Sequence, residues 1–375
     1  MSLGPSLCFP VTITGKGDYS GTITKTFKIN KAAQSITASK LSLKYPNSGT
    51  ITASGNQGKL TYKSDNTAIA TVDSTGKVTA KGAGTATITI TAAATSNYKS
   101  ATKTVTVTIA KAEQSITVKV AASSIAVGNT TTLSTTGNKG AVTYKSADTT
   151  IAAVTKSTGE VTAKKVGKIT ITVTSASTSN YKAASKTITI KVVPAATSSF
   201  TAANQATGIK LTWKKVAGAN AYFIYRGSTQ IAAIRDSSTV SYTDKKANTN
   251  GTKYTYKIIA SASATGRSTL SKSVTTYCVA RPAISTLTNS AASKMTVKWG
   301  KNAKATGYQI QYCPDKTFKT GNKSVSINSA STVSKVIGNL AKGKTYYVRI
   351  RTFKTVGSPK YFSAWSAVKS VKITK

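Results

Sequence analysis

Residues 61–109 read TYKSDNTAIATVDSTGKVTAKGAGTATITITAAATSNYKSATKTVTVTI, and residues 143–192 read TYKSADTTIAAVTKSTGEVTAKKVGKITITVTSASTSNYKAASKTITIKV. The same segment is written twice. A leading phrase recurs with it, KAAQSIT at 31–37 against KAEQSIT at 111–117. The copies are 80 residues apart at that phrase and 83 apart at Asn97 and Asn180. Solenoid units run ~20–50 residues, so a repeat of this length is a whole small domain. Within each copy the apolar residues alternate with period two: VTAK at 78–81, ATITIT at 86–91 and KTVTVTI at 103–109. Such stretches predict strands with one face inward and Thr or Lys outward. Turn signals separate them, STG at 74–76 and 157–159, GAG at 82–84 and NSG at 47–49. No window holds a 3.6-residue period. Short strands between regular turns predict an all-β chain of sandwiches.

The repeat also carries a specific pattern. It runs through Tyr62, Ser64, Ile69, Ala70, Val72, Gly76, Val78 and Gly84, and again through Tyr144, Ser146, Ile151, Ala152, Val154, Gly159, Val161 and Gly167. On these residues, 31–193 resembles the bacterial immunoglobulin-like group 2 (BIG2) family. The resemblance implies an Ig-like sandwich of bacterial surface and phage proteins, with no catalytic residues to carry over. The glycines are expected in turns that need positive φ.

Pro194 opens a different pattern. Residues 208–226 read GIKLTWKKVAGANAYFIYR and 294–312 read KMTVKWGKNAKATGYQIQY. Trp213 and Trp299 lie 86 residues apart, as do Tyr222 and Tyr308. GTKYTYKI at 251–258 parallels GKTYYVRI at 343–350, pairing Tyr254 with Tyr346. These features resemble fibronectin type III domains. The resemblance implies that Trp213, Trp299, Tyr222, Tyr308, Tyr254 and Tyr346 are structural core. Trp365 has a second reading, an exposed aromatic patch with Tyr361. RGD is absent, since Arg226 and Gly227 are followed by Ser228.

The expected organisation is therefore a tail of an upstream Ig-like module at 1–30, BIG2-like domains at 31–111 and 112–193, and fibronectin type III-like domains at 194–277 and 278–375. Residues 11–30 resemble the ends of the two repeats, with Gly17, Asp18 and Tyr19 where Ser96, Asn97 and Tyr98 stand. The expectation is a fragment of a longer protein whose first ten residues are a scar. The whole reads as an elongated, monomeric array of Ig-like and fibronectin type III-like β-sandwiches.

Composition narrows the function. Histidine is absent, and only nine acids face 52 Lys and Arg, for a net charge of +43. Proton-transfer chemistry leans on His, Asp and Glu, and metal sites on His, Cys or grouped carboxylates. No catalytic residue, cofactor or metal site is expected. Every module is basic, and residues 278–375 carry 18 cations against Asp315 alone. A field of this sign attracts polyanions. Only six of the cations are arginine, and bidentate phosphate or base recognition prefers arginine, so the expected attraction is diffuse and salt-sensitive. Nothing resembles a nucleic-acid recognition motif, so no specific nucleic acid is expected. No apolar run reaches the ~20 residues of a membrane span.

Cys8, Cys278 and Cys313 match no metal or redox spacing and are read as unpaired, with Cys278–Cys313 pairing the alternative. Two chemical readings rank low. SNYK at 96–99, SDN at 64–66 and KTG at 319–321 mimic the motif set of penicillin-recognising serine enzymes, but in the wrong order and context. A Lys–Asn isopeptide bond needs a buried acid, for which Glu113 and Glu160 are the candidates.

The resulting expectation is a non-catalytic, extracellular or surface region of a Gram-positive bacterial protein, serving adhesion, wall attachment or spacing. Its partner would be an anionic wall polymer or acidic glycan, or a host or neighbouring-cell surface. Contact is expected at one lysine-rich face of the final module: Lys294, Lys298, Lys301, Lys304, Lys316, Lys319 and Lys323. The competing readings are an accessory arm of a secreted hydrolase and a phage decoration or fibre protein.

Overall fold

The computed structural model describes residues 7–268 and 271–375. Among them there is no helix, and strands alternate with short turns throughout. Runs of Thr, Val and Ile suit a pleated surface with one buried side, and the burial follows the alternation. In Gly84–Ala92, for example, Ala86, Ile88, Ile90 and Ala92 are buried while the threonines between them are not.

Among the described residues, four separate hydrophobic cores lie along the chain. The first gathers Ile36, Ile51, Val78, Ile88, Ile90 and Val107 between two sheets. One sheet runs Leu41–Lys44, Ala101–Ala110, Gly84–Ala92, Leu60–Ser64, and the other Ser48–Thr50, Lys77–Ala80, Ala70–Val72. The second core, around Ile116, Leu133, Val161, Ile171 and Ile190, repeats this arrangement. Its larger ladder runs Ser124–Ala126, Ala184–Val193, Gly167–Ser175, Val142–Ser146. In both copies the first strand of that sheet joins the last in parallel.

The repeated phrases have structural causes. Gly159 sits at φ 73°, and a Cβ there would meet the Tyr144 ring at 2.8 Å, so the turn accepts only glycine. The glutamine of the leading phrase staples three segments together. Gln34 donates to the carbonyls of Ala93 and Lys99 and accepts from Gln57 N–H. Gln114 does the same with Ala176, Lys182 and Lys139.

The third and fourth cores share a different plan, a three-stranded sheet facing a larger one. In the third, Phe200–Gln205, Gly208–Trp213 and Ser241–Asp244 face Thr229–Ile234, Ala221–Arg226, Lys253–Ala262 and Lys272–Tyr277. In the fourth, Ile284–Ala291, Lys294–Trp299 and Ser334–Ile337 face Lys323–Ile327, Gly307–Cys313, Thr345–Thr355 and Lys369–Lys372. Trp213 and Trp299 are buried on the second strand of each, edge-on to Tyr222 at 5.4 Å and tilted against Tyr308 at 5.3 Å. Both tyrosine hydroxyls accept a loop N–H, from Val216 and from Asn302. Tyr254 and Tyr346 are only half-buried, packed at the margin of their cores. The fully buried tyrosine of the third module is Tyr256, whose hydroxyl donates to Asp244.

The last two modules are joined by a dense polar seam. Asn204 donates to the carbonyls of Tyr277 and Phe362 at 2.9 and 3.0 Å. Asn250 donates to Asn302 at 2.8 Å, and Asn302 to the Ala280 carbonyl at 3.1 Å. Small modules of separate core can move against one another, but the buried Asn204 and Asn302 and the half-buried Asn250, bonded across the seam at Asn204–Phe362 and Asn250–Asn302, oppose that here.

Ahead of the first core, Leu7–Thr14 and Thr22–Ile29 form an antiparallel hairpin with Phe9 opposite Phe27. Phe9, Val11, Ile13, Ile23, Phe27 and Ile29 are all exposed.

Candidate anion-binding surface

The acids are spent on turns rather than on cations. Asp73 accepts from Thr75, Asp148 from Thr150, Asp236 from Ser238 and Asp315 from Thr317, each through a hydroxyl and a backbone N–H. Hydrogen bonds to the charged form hold all four carboxyls below their ordinary range. Among the described residues only two ion pairs form, Lys182–Glu113 at 2.8 Å and Arg226–Asp244 at 2.9 Å. The cationic field is thus almost uncompensated from within.

The seven lysines expected to share one face of the final module are all exposed but do not lie together. Lys294 and Lys298 point outward from the three-stranded sheet, alternating with buried Met295, Val297 and Trp299. Lys323 begins a strand of the opposite sheet. Lys316 and Lys319 flank the Asp315-centred loop. Lys301 and Lys304 stand at the seam with the third module, Lys304 against Gly251. Alternation distinguishes inward from outward but not one sheet from the other, which is why a single face was expected.

A more ordered cationic feature is built on the strand Thr345–Thr355. Arg349 and Arg351 project from its outer side, two residues apart. Arg349 stacks on Phe318 at 4.1 Å and on Trp365 at 4.6 Å. Arg351 stacks on Trp365 at 4.4 Å and on Phe362 at 3.8 Å. The result is an alternating aromatic–guanidinium ladder, in which quadrupole attraction orders both arginines. Trp365 is therefore a structural rung, half-buried between guanidiniums, and not a free platform beside Tyr361. Ser363 and Ser366 fix the rung-bearing segment by accepting Thr352 N–H and Ile350 N–H. The guanidiniums find neutral partners, Gln311 for Arg349 and Gln309 for Arg351. Burial, then the neighbouring Arg349 charge, lowers the pKa of Arg351.

Beside the ladder a cleft of about 490 Å³ opens between the third and fourth modules. Ala203, Gln205 and Thr276 line one wall, and Arg351, Lys360, Tyr361 and Trp365 the other. The sequence signal for it was an Arg-x-Arg pair in a lysine-dominated chain, just upstream of YFSAWS at 361–366.

The other candidates resolve simply. Cys278 and Cys313 are unpaired and buried, while the Cys8 side chain lies outside the description. Glu113 and Glu160 are both exposed, so neither is the buried acid that an isopeptide bond needs. Ser64 and Ser96 belong to the first module and Lys319 to the fourth, so the three short serine-enzyme motifs do not converge. Among the described residues no three metal-ligating side chains come together. Nor is any helix long and apolar enough to cross a membrane.

Sandwiches of these two plans define a modular array of Ig-like and fibronectin-like domains. Residues 47–94 match the family model of the intimin immunoglobulin-like domain, 112–188 that of the bacterial Ig-like domain (group 2), and 281–369 that of the fibronectin type III domain. The first copy of the repeat, expected to be BIG2-like, thus carries the intimin match. Such domains are typical of modular surface or extracellular proteins and are generally non-catalytic. Solved structures similar to this chain include the FN1–FN3 domains of chicken CNTN1, at 14% identity over 69% of this chain and 98% of that one, TM-score 0.31. A two-domain fibronectin type III segment from chicken tenascin is 17% identical over 48% and 99%, TM-score 0.23. A myokine structure is 18% identical over 25% and 96%, TM-score 0.21. No curated protein matches the chain.

Proposed function

We propose that the chain is a non-catalytic surface or secreted array of a Gram-positive bacterium that attaches to anionic wall polymer or acidic glycan. The supporting observation is the lack of internal counterions: a net charge of +43 with two ion pairs among the described residues. Lysines dispersed over both sheets of every module act as a field and not as a docking face. Such attraction is long-ranged and falls steeply with ionic strength. Tandem modules multiply it, because each added contact is made at high effective concentration.

The test is co-sedimentation of the chain with Gram-positive walls, with and without teichoic acid, across a salt series. The expected result is binding that requires the anionic polymer and fades as salt rises. Absence of binding at low salt would leave a spacer without wall affinity and overturn the proposal.

A further inference from the structure

Arg351 and Arg349 are half-buried like charges on adjacent outward positions of one strand, with amide oxygens where a structural ion-pair network would place carboxylates. Partly desolvated cations are ordinarily paired. Arg351 uses Nε on Gln309, while its two terminal nitrogens donate to no protein acceptor among the described residues. Ring faces of Phe362 and Trp365 fix the plane of that guanidinium. The fork is thus pre-ordered, which is the condition for tight bidentate capture of an oxyanion.

The cleft beside it supplies the rest of a site. Lys360 adds a second cation, and no Asp or Glu lines the walls. Gln205, Thr276 and Tyr361 supply neutral polar groups, and Ala202, Ala203 and the Tyr361 ring supply apolar ones, the Phe362 and Trp365 rings being stacked on Arg351. A volume of about 490 Å³ lies within the ~300–1,000 Å³ range of small-ligand sites. Two cations on one wall, Arg351 and Lys360 (whose Nζ lies over the Phe353 ring at 4.6 Å), with a mixed polar and apolar lining fit a ring that carries one carboxylate, several hydroxyls and an apolar C–H face. A polyol-phosphate chain would use the cations alone.

We infer that the cleft between the third and fourth modules binds a carboxylated pyranose, a uronic-acid residue of an acidic glycan, with Arg351 holding the carboxylate. This rests on the proposed attraction to anionic polymer and gives it one specific site. Because the walls come from two modules, the polar seam of Asn204, Asn250 and Asn302 holds the site open in one geometry.

Calorimetric titration of the full chain with tetragalacturonate, maltotetraose and inorganic polyphosphate tests the inference. Tetragalacturonate should bind with one-site stoichiometry and maltotetraose should not. Arg351→Gln should weaken tetragalacturonate by at least about tenfold. Ala203→Glu, which leaves the ladder intact and places a carboxylate in the cleft, should abolish it. Lys294→Gln with Lys298→Gln should change nothing at this site. Failure of the wild-type chain to bind tetragalacturonate would overturn the inference. Equal binding by Arg351→Gln and Ala203→Glu would also overturn it. Polyphosphate bound in many weak, salt-sensitive sites, unaffected by either variant and without tetragalacturonate binding, would sink the cleft while leaving the diffuse-field proposal standing. Tetragalacturonate binding without wall co-sedimentation would do the reverse.

Discussion

The side-chain oxygen of Asn180 accepts the backbone N–H of Ala83 at 2.9 Å, across the boundary between the first and second cores. Tyr181 beside it meets Tyr45 edge-on at 5.6 Å. Asn180 belongs to the repeated SNY phrase, so an element of the module's own hairpin loop doubles as a contact to the preceding module. Asn180→Ala should remove about 1 kcal/mol from that contact. Hydrogen exchange at the Ala83 amide should then rise about fivefold or more while the two cores stay protected. Unchanged protection at Ala83 would mean that the two modules do not hold this contact in solution.

Trp299 fills the fourth core, yet its indole N–H has no hydrogen-bond partner among the described residues. Trp299→Ala should cost about 3–5 kcal/mol through lost burial and the cavity left behind. Trp299→Phe should cost under about 2 kcal/mol, since no hydrogen bond is lost with the indole. Denaturation followed by NMR should place both losses in the fourth module, with the Ig-like modules unmoved. A larger loss for Trp299→Phe than for Trp299→Ala would refute this account of the core.

Much of this architecture is legible in the sequence because a strand's alternation is local. ATITIT at 86–91 declares its buried side without reference to any partner. The spacing of Trp213 and Trp299 likewise marks equivalent positions in two domains. What the sequence does not declare is which sheet an outward residue belongs to. Lys298 and Lys323 look equivalent along the chain, yet they project from opposite sheets. The ladder is hidden for a related reason. Its rungs come from a loop at Phe318, a strand at Arg349 and Arg351, and a later segment at Phe362 and Trp365. Only the folded register brings them together. Tyr254 and Tyr256 share strand parity, so alternation cannot rank them. Tyr256 lies deeper, where its hydroxyl donates to Asp244, which also accepts from Arg226.

Asp236 gives the chain an acid-sensitive turn. Hydrogen bonds from Ser238, through its hydroxyl and then its backbone N–H, and from Thr239 lower its pKa from 3.8 to about 2. The folded value lies below the unfolded one, so the unfolded state binds more protons in between. The contribution is therefore fully present above about pH 4 and is lost as pH falls through about 2. Carbon-detected NMR titration of the Asp236 carboxyl should show the low midpoint, and Ser238→Ala should raise it toward 3.8. A midpoint already near 3.8 in the unaltered chain would dissolve the turn's role in acid stability.

Cys278 and Cys313 should be chemically silent in the folded chain. Cys278 is buried in the third core, and that burial raises its thiol pKa. Cys313 is buried as well, and its Sγ donates to the Asp315 carbonyl at 3.0 Å. The thiolate is the reactive form, so at Cys278 the raised pKa and the lack of access both slow attack, and at Cys313 burial denies the reagent access. A thiol reagent applied at pH 8 should leave both unmodified for as long as their modules stay folded. Both should react promptly in guanidinium, with peptide mass spectrometry assigning the sites. Labelling of Cys278 in the native chain at the rate of a free thiol would mean that the third core opens readily at its junction with the fourth. The polar seam around Asn204 and Asn250 would then fail to hold the two modules together.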